Sequence, residues 1–141
     1  MKSSYRNLLA WQKGMDLVDE IYATVKTFPR SEMFVLNIQM RKAAMSVPCN
    51  IAEGQGRYSL RDFRHFLRQA RASALELETE CLIAMRQRYI SQERADALIA
   101  QIMEVIRLVN GLIRYINRQL RLRTANREPR TTTDEPNPSG P

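Results

Sequence analysis

Residues 57–84 read Arg57-Tyr58-Ser59-Leu60-Arg61-Asp62-Phe63-Arg64-His65-Phe66-Leu67-Arg68-Gln69-Ala70-Arg71-Ala72-Ser73-Ala74-Leu75-Glu76-Leu77-Glu78-Thr79-Glu80-Cys81-Leu82-Ile83-Ala84. Arg57, Arg61, Arg64, Arg68 and Arg71 follow one another at spacings of 4, 3, 4 and 3. At about 100° per residue they fall within an arc of roughly 80° on a helix. Phe63, Leu67, Ala70, Ala74, Leu77, Cys81 and Ala84 share a second arc, centred roughly 130° away. Ser59 with Asp62 three residues later is a capping box with Asp in place of Glu. The spacing predicts a long helix over residues 59–88 that packs a core on one side and presents a basic ridge on another.

Three further helices follow from the same periodicity. Trp11, Met15, Val18, Tyr22 and Val25 step along one face of a first helix over residues 8–27, widened by Leu17 and Ile21. Ser31 is the expected N-cap of a second helix over residues 32–53, with Glu32 in its first turn. Pro48 lies inside that helix, removing one donor and freeing the carbonyl of Ala44. Gly54 and Gly56 then offer a C-terminal stop. Ser91 caps a fourth helix carrying Ala95, Leu98, Ile99, Ile102, Ile106, Val109, Ile113, Ile116 and Leu120 on one stripe. Short links between amphipathic helices point to an all-α, antiparallel, up-down four-helix bundle over residues 1–123. Residues 124–141 lose the apolar period and read as a disordered Arg/Thr/Pro-rich tail.

Composition narrows the function classes. The chain has 141 residues and a net charge of +7. Of its 22 basic residues four are Lys, which leaves 18 Arg. Such a balance suits an anionic partner. A second basic stripe, Arg107, Arg114, Arg118 and Arg121, spans an arc of roughly 60° on the fourth helix. The arginine fork matches phosphate oxygens in geometry as well as charge. Both stripes are therefore expected to bind nucleic acid, RNA or DNA, through its phosphates. Tyr58 and Tyr115 stand near the stripes without interleaving with them, so ordinary packing rather than base stacking is expected of both.

Catalysis finds little support. His65 is the only histidine, and no Cys/His spacing matches a zinc site. Gly54-Gln55-Gly56 lacks the Lys-Ser/Thr of a phosphate loop. Glu76, Glu78 and Glu80 stand at i, i+2, i+4, do not share one helix face and are expected at the surface or in salt bridges. Cys49 and Cys81 are expected to be buried free thiols. No catalytic residue, metal or cofactor is expected. No segment approaches the ~18 apolar residues of a membrane span. The basic faces also lack the Trp/Phe/Leu border of interfacial helices. A cytoplasmic location is the corresponding expectation. Leu75, Thr79 and Leu82 continue the basic ridge as an apolar patch, which points to a subunit interface, the alternative being a wide core face.

Four stretches carry a family resemblance. They are Leu9-Ala10-Trp11-Gln12-Lys13-Gly14-Met15-Asp16-Leu17, Thr27-Phe28-Pro29-Arg30-Ser31-Glu32, residues 39–54 with Ser46-Val47-Pro48-Cys49-Asn50-Ile51-Ala52-Glu53-Gly54 at their end, and Phe66-Leu67 with residues 70–79. Over residues 8–90 the chain resembles the 23S rRNA intervening-sequence protein family of four-helix bundles. The wider superfamily includes the accessory variability proteins of diversity-generating retroelements. The resemblance implies a homopentameric barrel with a basic outer surface and, in the retroelement branch, binding to nucleic acid and a reverse transcriptase. Asn50, Glu53 and Arg71 match its most recognisable positions and are expected to be structural, with Pro48, Asn50, Glu53 and Gly54 as the structural motif: Asn50 would cap the carbonyl freed by Pro48, and Glu53 would pair with Arg57 or Arg71. The alternative is a protein-interaction scaffold whose arginines dock an acidic partner or the glutamates of a neighbouring subunit.

Overall fold

The computed structural model describes residues 4–127, which form four α-helices and two single 3-10 turns. Helix α1 is Leu9–Val25, α2 Leu36–Gln55, α3 Leu60–Arg86 and α4 Gln92–Arg127. Each helix packs against its neighbours in chain order, and α4 closes back on α1. The contacts that cross between helices run in opposite numerical order. Arg64 reaches Asn117 while Arg71 reaches Asn110, and Asn37 touches the Val25 carbonyl while Gly14 stands against Val47 and Pro48.

One apolar core runs between the four helices. Leu17, Ile21, Met40, Val47, Ile51, Leu67, Leu77, Leu98, Ile102, Val109 and Ile116 are all fully enclosed in it. On α3 the buried positions Leu67, Ala70, Ala74, Leu77, Cys81 and Ala84 follow the periodicity of the sequence. On α4 the predicted stripe is buried from Ala95 to Ile116, with Val105 added and Ile99 and Leu120 at its edge. Helix α1 is rotated from the expected face. Ala10, Gly14, Leu17, Ile21, Thr24 and Val25 point inward, while Met15 is 39% exposed. Small residues on that inner side let α1 lie close to α2, and packing outweighs the larger side chains of the neighbouring stripe.

The start of α2 differs from the sequence reading. Ser31 is not its N-cap; it lies exposed in the 3-10 turn Arg30–Glu32, and α2 begins at Leu36 after Val35. Glu32 Oε2 instead accepts from the Leu36 amide at 3.3 Å, and Glu32 Oε1 accepts from the Tyr89 hydroxyl at 2.8 Å. A carboxylate one turn outside the helix thus satisfies an orphan donor at its start. The caps of α3 and α4 are as read: Ser59 Oγ accepts from the Asp62 amide, and Ser91 Oγ from the Arg94 amide. Arg94 also bridges to α1, with its guanidinium on Thr24 Oγ1 at 2.8 Å and Glu20 Oε2 at 2.7 Å.

Helix α2 continues through Pro48, which is buried. The side-chain amide of Asn50 donates to the Ser46 carbonyl at 2.8 Å and to Ser46 Oγ at 2.9 Å, and Ser46 Oγ shares a 2.7 Å hydrogen bond with Ser73 Oγ of α3. Asn50 therefore serves Ser46, four residues back, and not the carbonyl of Ala44. A side chain reaches one turn back, and Ala44 lies six residues away. Gly54 is also not the terminator expected of it. It lies within α2, no glycine among the described residues has positive φ, and a Cβ there would meet Phe66 Cβ at 2.8 Å and Phe63 Cδ2 at 2.9 Å. Its lack of a side chain lets α2 and α3 touch. Helix α4 runs to Arg127, four residues into the stretch read as tail, and Thr124 Oγ1 donates to the Leu120 carbonyl. Its last turns are exposed, so they show no apolar period. The rest of the expected tail, residues 128–141, lies outside the described residues.

Candidate nucleic-acid interface

Packing of α3 on α4 sets the two arginine stripes side by side. Arg64 Nη1 donates to Asn117 Oδ1 at 2.7 Å, and Arg71 Nη1 donates to Asn110 Oδ1 at 2.8 Å. Each bond orients a guanidinium through a neutral acceptor and leaves its positive charge uncompensated. Asn110 and Asn117 stand seven residues apart, which places both on the side of α4 that faces α3. The sequence reading missed them; that spacing between the arginines of the second stripe was the available signal.

The remaining arginines divide into two groups. Arg61, Arg68, Arg114, Arg118 and Arg121 are exposed and, among the described residues, have no carboxylate partner. Arg57 and Arg107 are already occupied. Arg57 Nη2 lies 2.6 Å from Glu53 Oε1, and its guanidinium sits 5.0 Å from the Phe66 ring centre. Arg107 grips both carboxylate oxygens of Glu104 at 2.9 and 2.6 Å. The Arg107 hydrogen bond holds the Glu104 carboxyl below its ordinary range, Lys13 of α1 adding to the effect, and the carboxylate raises the Arg107 pKa in return. Of the two partners expected for Glu53, the structure selects Arg57, while Arg71 goes to Asn110.

Two clefts open where the first turns of α3 meet the last turns of α4. The larger, of about 490 Å³, is lined by Arg61, Arg64, Asn117, Leu120, Arg121, Thr124 and Ala125. The smaller, of about 300 Å³, shares Arg61 and adds Tyr58, Ser59, Arg123 and Arg127. Tyr58 is 97% exposed and Tyr115 54%, so neither is the packed residue that the sequence suggested. Tyr58 lies in the bend between α2 and α3, and Tyr115 on an exposed position within α4.

Groups with catalytic chemistry are dispersed. His65 is exposed, bonded to Gln69 and set edge-on to Phe66. Cys81 lies 16 residues further along the same helix, about 24 Å away. Its burial, then Glu80 beside it, pushes the thiol up to about 12, so it is no thiolate near neutrality. Cys49 is exposed, contrary to expectation, because it falls on the outer side of α2 between the buried Pro48 and Ile51. Glu80 is not the surface residue expected either. It is only 7% exposed, its Oε1 has no hydrogen-bond partner, and burial followed by the Glu76 charge raises its pKa to about 7. It sits seven residues beyond Ser73, on the side of α3 that meets α2.

The sequence profile of the 23S rRNA-intervening sequence proteins matches residues 6–111. The chain belongs to this family. The match takes in α1, α2, α3 and the first half of α4, and it stops short of the last turns that wall the basic clefts. Among solved structures, this 23S rRNA-intervening sequence protein is similar to a protein of unknown function from the S23 ribosomal protein family of Bacteroides thetaiotaomicron. The two share 24% identity with a TM-score of 0.70, over 74% of this chain and 98% of the other. The likeness is one of fold. A search of curated proteins found no match. Among the described residues no helix is long and apolar enough to cross a membrane.

Proposed function

We propose that the protein is a non-catalytic, nucleic-acid-binding accessory that works in the cytoplasm as a homo-oligomer. The observation that carries this reading is the joining of the two arginine stripes across the α3–α4 groove. There Arg61, Arg64 and Arg121 line one cleft, while Arg68, Arg114 and Arg118 extend the basic surface along the bundle. Contacts of this kind read phosphate rather than base, so binding is sequence-tolerant and weakens steeply with salt.

The up-down, antiparallel course of the helices belongs to the same reading and is supported by the opposed numbering of the cross-helix contacts. Self-association is supported by Leu75, Leu82 and Ile83, which are 48%, 40% and 43% exposed beside the exposed Thr79. Five copies is the number that the resemblance implies. A ring of copies would repeat the basic surface and add avidity. A retroelement reverse transcriptase is the protein partner implied in the same way.

Fluorescence anisotropy with labelled RNA and DNA at several salt concentrations tests the proposal, set beside Arg68→Glu with Arg114→Glu. Salt-dependent binding that this variant loses, at an unchanged oligomeric state, is expected. Absence of binding at low salt would turn the reading to a protein-interaction scaffold. In that case the arginines would meet a neighbour's carboxylates, with Glu76 available and Glu80 withdrawn into the fold.

A further inference from the structure

The two clefts are shallow concavities in the basic surface. Arg61, Leu120 and Thr124 line both, so the two adjoin as one basic depression at one end of the bundle. It takes Arg61 and Arg64 from α3 and Arg121, Arg123 and Arg127 from α4. Among the described residues no carboxylate lines it; Asp62, one residue from Arg61, is exposed and outside both linings. Arg64 is held by Asn117, so one fork is oriented before any ligand arrives. Leu120, Thr124 and Ala125 supply uncharged wall between the guanidinium groups. Tyr58 stands at the edge almost wholly exposed.

We infer that this depression anchors single-stranded nucleic acid, with a backbone phosphate held among Arg61, Arg64 and Arg121 and an adjoining base laid on the Tyr58 ring. The inference rests on the proposed function and specifies the form of its ligand. A duplex is a stiff cylinder whose phosphates keep a fixed spacing and whose bases are stacked inside it. It can set a phosphate on such a depression but offers no base face to Tyr58. An unpaired strand does both, which is how basic grooves with aromatic platforms hold single strands.

The test is anisotropy of the full-length protein with a labelled single strand of mixed sequence and with the same strand in a duplex. The variants are Arg61→Gln with Arg121→Gln, Tyr58→Ala, and the charge-matched control Arg30→Gln with Arg86→Gln, each checked for helix content and oligomeric state. The single strand is expected to bind more tightly than the duplex. The cleft variant should lose at least about tenfold in affinity. Its slope of log affinity against log salt should fall by about 0.7, for the one phosphate released. Tyr58→Ala should lose about fivefold or more. The control should keep both affinity and slope.

Equal or tighter binding of the duplex overturns the inference, as does a cleft variant no weaker than the control. Both results leave the proposed nucleic-acid function standing. Absence of binding by either form overturns that function and the inference together.

Discussion

Gly54 offers the sharpest trial of how α2 and α3 are held. Replacing it with alanine should stabilise a helix interior by about 1 kcal/mol through backbone entropy alone. Here the added Cβ would stand 2.8 Å from Phe66 Cβ, 2.9 Å from Phe63 Cδ2 and 3.2 Å from the Phe63 carbonyl. Phe66 Cβ and the carbonyl cannot rotate away. Reaching the 3.4 Å at which ordinary contact begins requires α2 and α3 to part by about 0.6 Å, since 3.4 less 2.8 is 0.6. Overpacking costs about 1–3 kcal/mol, and two contacts under 3.0 Å, one to a Cβ fixed on the backbone, put this site in the upper part of that range, about 2–3 kcal/mol. After the entropic gain, Gly54→Ala should destabilise by about 1–2 kcal/mol. Gly111→Ala is the matched control, because a Cβ there meets only Arg114 Nη2 at 3.8 Å. It should stabilise by about 0.5–1 kcal/mol. Urea unfolding followed by circular dichroism measures both, at one fixed protein concentration because association raises apparent stability. The midpoints should move in opposite directions, by roughly 0.5 M or more for Gly54→Ala at the m-values of small proteins. A Gly54→Ala protein as stable as the parent, beside a stabilised Gly111→Ala, would refute the close-approach account.

Other changes probe separate parts of the molecule. Glu80 has a folded pKa near 7 against an ordinary 4.5, so the fold binds its proton more tightly than the unfolded chain and loses stability as pH rises through that interval. Glu80→Gln should therefore unfold at higher denaturant than the parent above pH 7, by about 1 kcal/mol or more, with the advantage vanishing near pH 4.5; a constant difference across that range would sink the assignment. Arg94→Ala removes the tie from α4 to Thr24 and Glu20 and should cost about 1–2 kcal/mol, with Arg94→Lys recovering only part, as a lysine lacks the second nitrogen, Nε, that also donates to Thr24 Oγ1. Glu53→Ala breaks a pair whose side chains are each about half exposed, so thermal unfolding should register less than ~0.5 kcal/mol, while nucleic-acid titration should show affinity unchanged or raised by the freed Arg57. Leu75→Glu with Leu82→Glu should lower the mass measured by light scattering while leaving helix content intact, and an unchanged mass would move the subunit interface elsewhere.

The sequence by itself determined the helices and the inward faces of α3 and α4. Apolar side chains recurring every three to four residues can be buried together only on a helix, and both Ser59 and Ser91 carry a cap that depends on neighbours three residues away. Local chemistry of this kind is legible because every participant lies within one turn. The tertiary structure decided what depended on a neighbour from another helix. The rotation of α1 follows from how closely its small residues approach α2, and the role of Gly54 from Phe63 and Phe66, neither of which is visible in the periodicity of α2. Likewise, an arginine stripe shows where charge lies but not which guanidinium groups a neighbouring helix orients. Glu53 occupies Arg57 and Glu104 occupies Arg107, whereas the neutral amides of Asn110 and Asn117 orient Arg71 and Arg64 without cancelling them. The two neutralising pairs are local, at i,i+4 and i,i+3, and so lay within reach of the sequence, whereas only the packing of α3 on α4 brought Arg64 and Arg71 to their asparagines and set the two stripes around one cleft.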